Sequence, residues 1–137
     1  MTKQELRNYR KIEKEIRQID GMIRELNARA YSPRIPRLTG MTGATTTESG
    51  SAQERIATEI MELKQRYEVR VLELLAERKA IENAIAGLQD PDQRMILRYH
   101  YIDGMSWKGT AKRSHMDEST VYRKHGAALR VLKDASL

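Results

Sequence analysis

The chain has no cysteine, no phenylalanine, one tryptophan and three prolines in 137 residues. Without thiols it can form neither disulfides nor thiolate metal sites, and an intracellular setting is expected. No run of about 18 apolar residues is present to span a bilayer. The first residues are rich in Lys and Glu with no apolar core, so no signal peptide is expected and a cytoplasmic location follows. The scarcity of aromatic rings leaves little surface for stacking on unpaired bases. Among nucleic acids, this favours duplex DNA over single strands or RNA.

Catalytic groupings are missing as well. His100, His115 and His125 lack the i, i+4 spacing of a helical metal pair and have no carboxylates placed as partners. No nucleophile motif or phosphate-cradling glycine loop occurs. The expectation is therefore no enzyme activity, no metal and no cofactor, with each histidine at the surface or beside a phosphate.

Charge is what the chain does have. There are 25 basic and 19 acidic residues, a net charge of +6, and a pI near 9.7, a balance that suits a polyanionic partner without establishing one. The excess sits at both ends: eight basic against five acidic residues in 1–30, and nine against six from Asp90 onward, whereas 52–89 carries six against seven.

Two long helices are predicted in the first two thirds. Tyr9, Ile12, Ile16, Ile19, Ile23 and Leu26 alternate spacings of three and four, the seam of a helix that needs a partner helix. Gly21 interrupts it at a cost of about 1 kcal/mol. A second helix is predicted from Ser51 to Leu88 on Ile56, Ile60, Leu63, Tyr67, Val71, Leu74, Ile81, Ile85 and Leu88, with a stutter between Tyr67 and Val71. At about 1.5 Å per residue it would run roughly 55 Å, too long to be covered by a small C-terminal domain alone. Residues 31–50 have the composition of a flexible loop. Arg29, Arg34 and Arg37 beside Pro33 and Pro36 could form a basic arm for a minor groove. The loop's length lets the first helix pair within the chain or with a neighbour.

Three short helices are predicted in 90–137. Asp90 can cap the first, Pro91 suits its first position, and Gln93 can complete a capping box. Met95, Ile96, Tyr99 and Ile102 recur at helical spacing until Asp103-Gly104, a turn-forming pair. Ser106 can cap a second helix holding Trp107, Thr110, Ala111 and Ser114. After His115-Met116-Asp117, Asp117 can cap a third, with Val121, Ala128, Leu129 and Leu132 on its inner side. Two helices joined by three or four residues fit a helix-turn-helix. At the start of the third stand Glu118, Ser119, Tyr122 and Arg123, where that motif meets base edges. Lys108, Lys112, Arg113, Thr120, Lys124 and Arg130 surround them as candidate phosphate contacts. Gly126 inside this helix implies either a close backbone approach or a bend.

The run Asp90-Pro91-Asp92-Gln93-Arg94, Ile96-Leu97-Arg98-Tyr99, Gly104-Met105-Ser106-Trp107, Ala111, Asp117 to Arg123 and Ala128-Leu129 resembles the region-4 DNA-binding domain of sigma factors. Within that superfamily it is most similar to small phage and prophage transcription regulators of the RinA/ArpU type, over about a third of the chain. The resemblance implies an all-α protein in which a long helical hairpin or coiled coil (1–89) precedes a sigma region-4-like helix-turn-helix domain (90–137). It departs from the pattern where the usual Glu-Ile-Ala triplet reads Gly109-Thr110-Ala111, and where a leucine near the turn is Ser114. Loss of an Ile-sized side chain removes roughly 1.5–3 kcal/mol of burial, so Trp107 is expected to supply much of the packing.

The expected function is a sequence-specific duplex-DNA-binding transcription regulator, phage or prophage encoded, that forms homo-oligomers through its long helices. By resemblance RNA polymerase is a further partner. One alternative is a small-terminase-like DNA-packaging adaptor, although in those proteins the DNA-binding part usually leads the chain. The other is a coiled-coil scaffold that does not bind DNA. A complete sigma factor is disfavoured by the lack of an aromatic-rich strand-capturing segment.

Overall fold

The computed structural model describes residues 1–30 and 46–135. Among them the regular structure is entirely helical: α1 (Lys3–Ala30), α2 (Thr46–Ala86), α3 (Pro91–Leu97), a π-helical segment (Arg98–Ile102), α4 (Trp107–Ser114) and α5 (Glu118–Ala135). The helix α2 takes in residues 46–50, which their composition had assigned to the loop. Extending an existing helix fixes one residue per added hydrogen bond, so weak formers at its end can be recruited. The proposed arm residues Arg34 and Arg37 lie outside the described residues. Arg29 belongs to α1, where its guanidinium pairs with Glu25 at 3.0 Å.

Contacts divide the chain into two units. One comprises Ile16–Glu73. In it Ile19 and Leu26 are buried, and Met22, Leu26, Leu63 and Tyr67 line a shared cleft, so the seam of α1 meets α2 within one chain. The seam of α2 is covered unevenly here. Ile60, Leu63, Tyr67 and Val71 are only half-buried, and Ile56, expected on the inner face, is 47% exposed.

The other unit joins Met1–Glu15 to Leu74–Leu137. Here the pairing is tight. Leu6, one step before the predicted seam, is fully buried together with Tyr9, Ile12, Leu74, Ile81, Ile85 and Leu88. The Tyr9 hydroxyl donates to Glu82 Oε1 at 2.5 Å, and burial followed by this carboxylate pushes the phenol's pKa upward. The terminal amine of Met1 reaches the Leu132 carbonyl at 3.2 Å, tying the start of α1 to α5.

The turn after α2 is braced by Arg94, whose Nη1 donates to the carbonyls of Leu88 at 2.6 Å and Gln89 at 3.0 Å. Asp90 caps α3, its carboxylate accepting from Asp92 N at 2.9 Å; this capping bond replaces the reciprocal box expected with Gln93. Beyond Leu97 the helix widens into a π-turn, with Asp103 N bonded to the Arg98 carbonyl at 2.9 Å. A π-turn holds an extra residue and rotates the face that follows. The buried positions here are Ile96, Leu97 and Tyr101, whereas the expected Met95, Tyr99 and Ile102 are only half-buried.

Candidate nucleic-acid interface

The turn between α4 and α5 is built from local chemistry. The Ser106 hydroxyl accepts from Gly109 N at 3.0 Å, starting α4 at Trp107 as its sequence predicts. His115 ends the helix in the left-handed region at φ 56, with its N–H directed to the Ala111 and Lys112 carbonyls. This lets the chain reverse within three residues and begin α5 at Glu118, whose first turn closes from Val121 N to the Asp117 carbonyl at 3.0 Å.

The two helices pack through a small core. Ile96, Ala111 and Val121 form it, with Trp107 and Met116 packed against them. The inner face of α4 is otherwise polar: Thr110 and Ser114 are buried, and among the described residues their hydroxyl oxygens have no hydrogen-bond partner.

Because Val121, His125, Ala128 and Leu132 turn inward, the opposite side of α5 is left to solvent. Glu118, Ser119, Tyr122 and Arg123 are all exposed at its first turns, and Arg130 is exposed seven residues beyond Arg123. On α4, Lys108, Lys112 and Arg113 are exposed, and the Arg113 guanidinium lies 5.6 Å from the centre of the Tyr99 ring. Two candidates differ from this group. Thr120 is half-buried, and Lys124 Nζ is held by Asp92 Oδ2 at 2.7 Å, a salt bridge that neutralises it and links α5 to α3. Gly126 has no other group within 4 Å of where its Cβ would stand, so no close approach inside the chain accounts for it.

Sequence reasoning missed a cluster of rings behind this surface. His125, expected at the surface, is buried, and its Nε2 shares a hydrogen bond of 2.6 Å with the Tyr101 hydroxyl. His100 is half-buried and stacked on Trp107 at 3.7 Å between ring centres. Trp107 also lies 4.4 Å from His125 and 5.3 Å from Tyr122. Of the three histidines only His115 is exposed. His100 and Tyr101 follow the buried Ile96 and Leu97 by four residues, as His125 follows Val121. Helical spacing therefore points these rings inward, whereas the expected stripe runs through Met95, Tyr99 and Ile102 instead.

The rings stay neutral. Burial first, then the charges of Lys3, His100 and Arg7, lower the pKa of His125 to about 4. His100 is lowered mainly by burial, with Arg7 and Lys3 adding to the effect and the Met105 carbonyl opposing it. Since a carbonyl can only accept, His100 Nδ1 carries the proton in its 2.7 Å bond to Met105 O. Burial raises Tyr101.

Among the described residues there is no cluster of three or more His, Cys, Asp or Glu side chains able to hold a metal. No helix there is long and apolar enough to cross a membrane.

The fold and this surface define an all-helical protein whose exposed face combines a helix start with a ring of basic side chains. The chain belongs to the DUF1492 family, described as a protein of unknown function, whose family model matches residues 42–133. No curated protein and no solved structure matches it.

Proposed function

We propose that the chain is a sequence-specific duplex-DNA-binding transcription regulator, phage or prophage encoded, in which residues 90–137 form a sigma region-4-like helix-turn-helix domain. The observation that carries this reading is the α4–turn–α5 arrangement. It buries one side of α5 and presents Glu118, Ser119, Tyr122 and Arg123 together at the helix start. A helix of this kind enters a major groove with its N-terminal residues toward base edges. Arg123 can donate to guanine acceptors, Glu118 can accept from a cytosine amine, and Ser119 can do either. Lys108, Lys112, Arg113 and Arg130 stand around them to meet phosphates, which fix register without reading sequence. Lys124 can join only if it leaves Asp92.

The long helices supply a second copy's docking face in this reading, and RNA polymerase is a further partner by resemblance. Met61, Val69 and Leu72 on α2 are 62%, 55% and 67% exposed, apolar surface on one side of the helix that a second copy would cover.

The test is sequencing of genomic fragments retained by the purified protein, with a Tyr122→Ala/Arg123→Ala variant in parallel. A recurring site beside a promoter is expected, with a loss of order 1–3 kcal/mol of preference for each broken base contact. Retention without any enriched site would overturn the reading.

A further inference from the structure

We infer that the first turns of α1 form part of the same DNA-binding surface, with Lys3, Arg7 and Arg10 as a ridge for phosphates of the bound duplex; this rests on the DNA-binding reading above. Residues 3, 7 and 10 fall on one strip of a helix, and all three side chains are exposed. The strip borders the buried side of α1 that holds Leu6 and Tyr9. Its position is fixed by the Tyr9–Glu82 bond and by the Met1 amine on Leu132.

The ridge adjoins the candidate interface. Arg10 Nη1 donates to the Ile102 carbonyl at 3.2 Å, and the Arg10 guanidinium lies over Gly104, in the loop that leads into α4. Lys3 and Arg7 are close enough to His100 and His125 to oppose their protonation. His100 stacks on Trp107, and Trp107 meets Tyr122. The ridge thus lies beside the ring cluster that backs the exposed face of α5.

Pairing separates this ridge from an ordinary solvated helix face. Further along α1, Arg24 is paired with Asp20 and Arg29 with Glu25. Among the described residues Lys3 and Arg7 have no carboxylate partner, and Arg10 bonds only a carbonyl. Lys3 and Arg7 beside the neutral rings and Arg10 over Gly104 thus stand without a carboxylate partner, an arrangement that an incoming row of phosphates would relieve. These residues lie outside the region 42–133 that the family model matches. As contacts to phosphates, they would add affinity equally for every sequence.

The experiment measures duplex affinity against salt concentration for the intact chain and for Lys3→Gln, Arg7→Gln and the double variant, on the enriched site and on an unrelated duplex. Each phosphate contact adds about 0.9 to the slope of log affinity against log salt, so the double variant should be shallower by about 2. Its affinity should drop on both duplexes with the preference between them unchanged, and Lys3→Arg/Arg7→Lys should restore the original slope. The single variants, each expected to lose about 0.9, decide the matter if the double variant melts early. An unchanged slope in a chain that binds DNA and loses its preference on Arg123→Ala would overturn the ridge alone. Absence of duplex binding by the unaltered chain would overturn both the ridge and the reading it rests on.

Discussion

His125 shows what one buried ring does to the stability of the chain. Its pKa is about 4 in the folded state, against roughly 6.5 for an unperturbed histidine. Between those values the unfolded chain binds the proton and the folded chain does not. Stability is therefore complete above about pH 6.5 and falls as the pH drops toward 4, by on the order of 3 kcal/mol in total. His100 is shifted in the same direction and adds to the fall. Melting temperatures recorded from pH 7.5 down to 4 should decline across this window, with a shallower decline for His125→Gln. A flat profile in the unaltered chain would contradict the neutral, buried ring. The spacing did mark it as inward, four residues after Val121 and three before Ala128 on the buried strip of α5; the polar residue type argued for the surface.

Among the helices and the loops that join them, two glycines have opposite consequences. Gly104 has φ +72, and a Cβ there would stand 2.7 Å from the Arg10 guanidinium. Gly104→Ala should cost about 1–2 kcal/mol from the left-handed backbone alone, and more from displacing Arg10. The second part should vanish when Arg10→Ala is combined with it, so the double variant loses less than the sum. Gly126 sits in an ordinary helical turn of α5 with open space around it. Gly126→Ala should therefore raise stability by about 0.8–1 kcal/mol. Chemical denaturation of Gly104→Ala, Arg10→Ala, their double variant and Gly126→Ala checks both signs; a destabilised Gly126→Ala would mean that the helix bends there. If the same variant is more stable yet weaker on DNA, Gly126 is where the duplex comes closest to α5. The caps at Asp90 and Ser106 and the turn before α5 were legible because each depends on neighbours within three or four residues. The π-turn was not, since its hydrogen bonds shift by a single residue and leave the composition unchanged.

For the whole molecule the open question is how many copies act together. Met61, Val69 and Leu72 project apolar surface from α2, and a second copy covering them would bring two reading helices to one duplex. Native mass spectrometry should then give a dimer, and Met61→Glu/Leu72→Glu should return it to a monomer while leaving the Tyr9–Glu82 pairing intact. A ring of eight or more subunits would replace the regulator reading with that of a DNA-packaging adaptor. A dimer should also favour two half-sites spaced by whole turns, about 10–10.5 base pairs each.

The sequence by itself determined the all-helical class, the seam of α1 from Tyr9 to Leu26, the cap of α4 at Ser106 and the exposed group Glu118, Ser119, Tyr122 and Arg123. Each of these follows from spacing along one helix or from hydrogen bonds to adjacent backbone. Tertiary structure alone decided that Lys124 is held by Asp92, that His100 and His125 join Trp107 and Tyr101 in one cluster, and that Arg10 of α1 meets the Ile102 carbonyl at the loop before α4. Those partners lie from 7 to 92 positions apart in the chain. A side chain's periodicity records which way it faces but not what it faces, and only folding supplies the second.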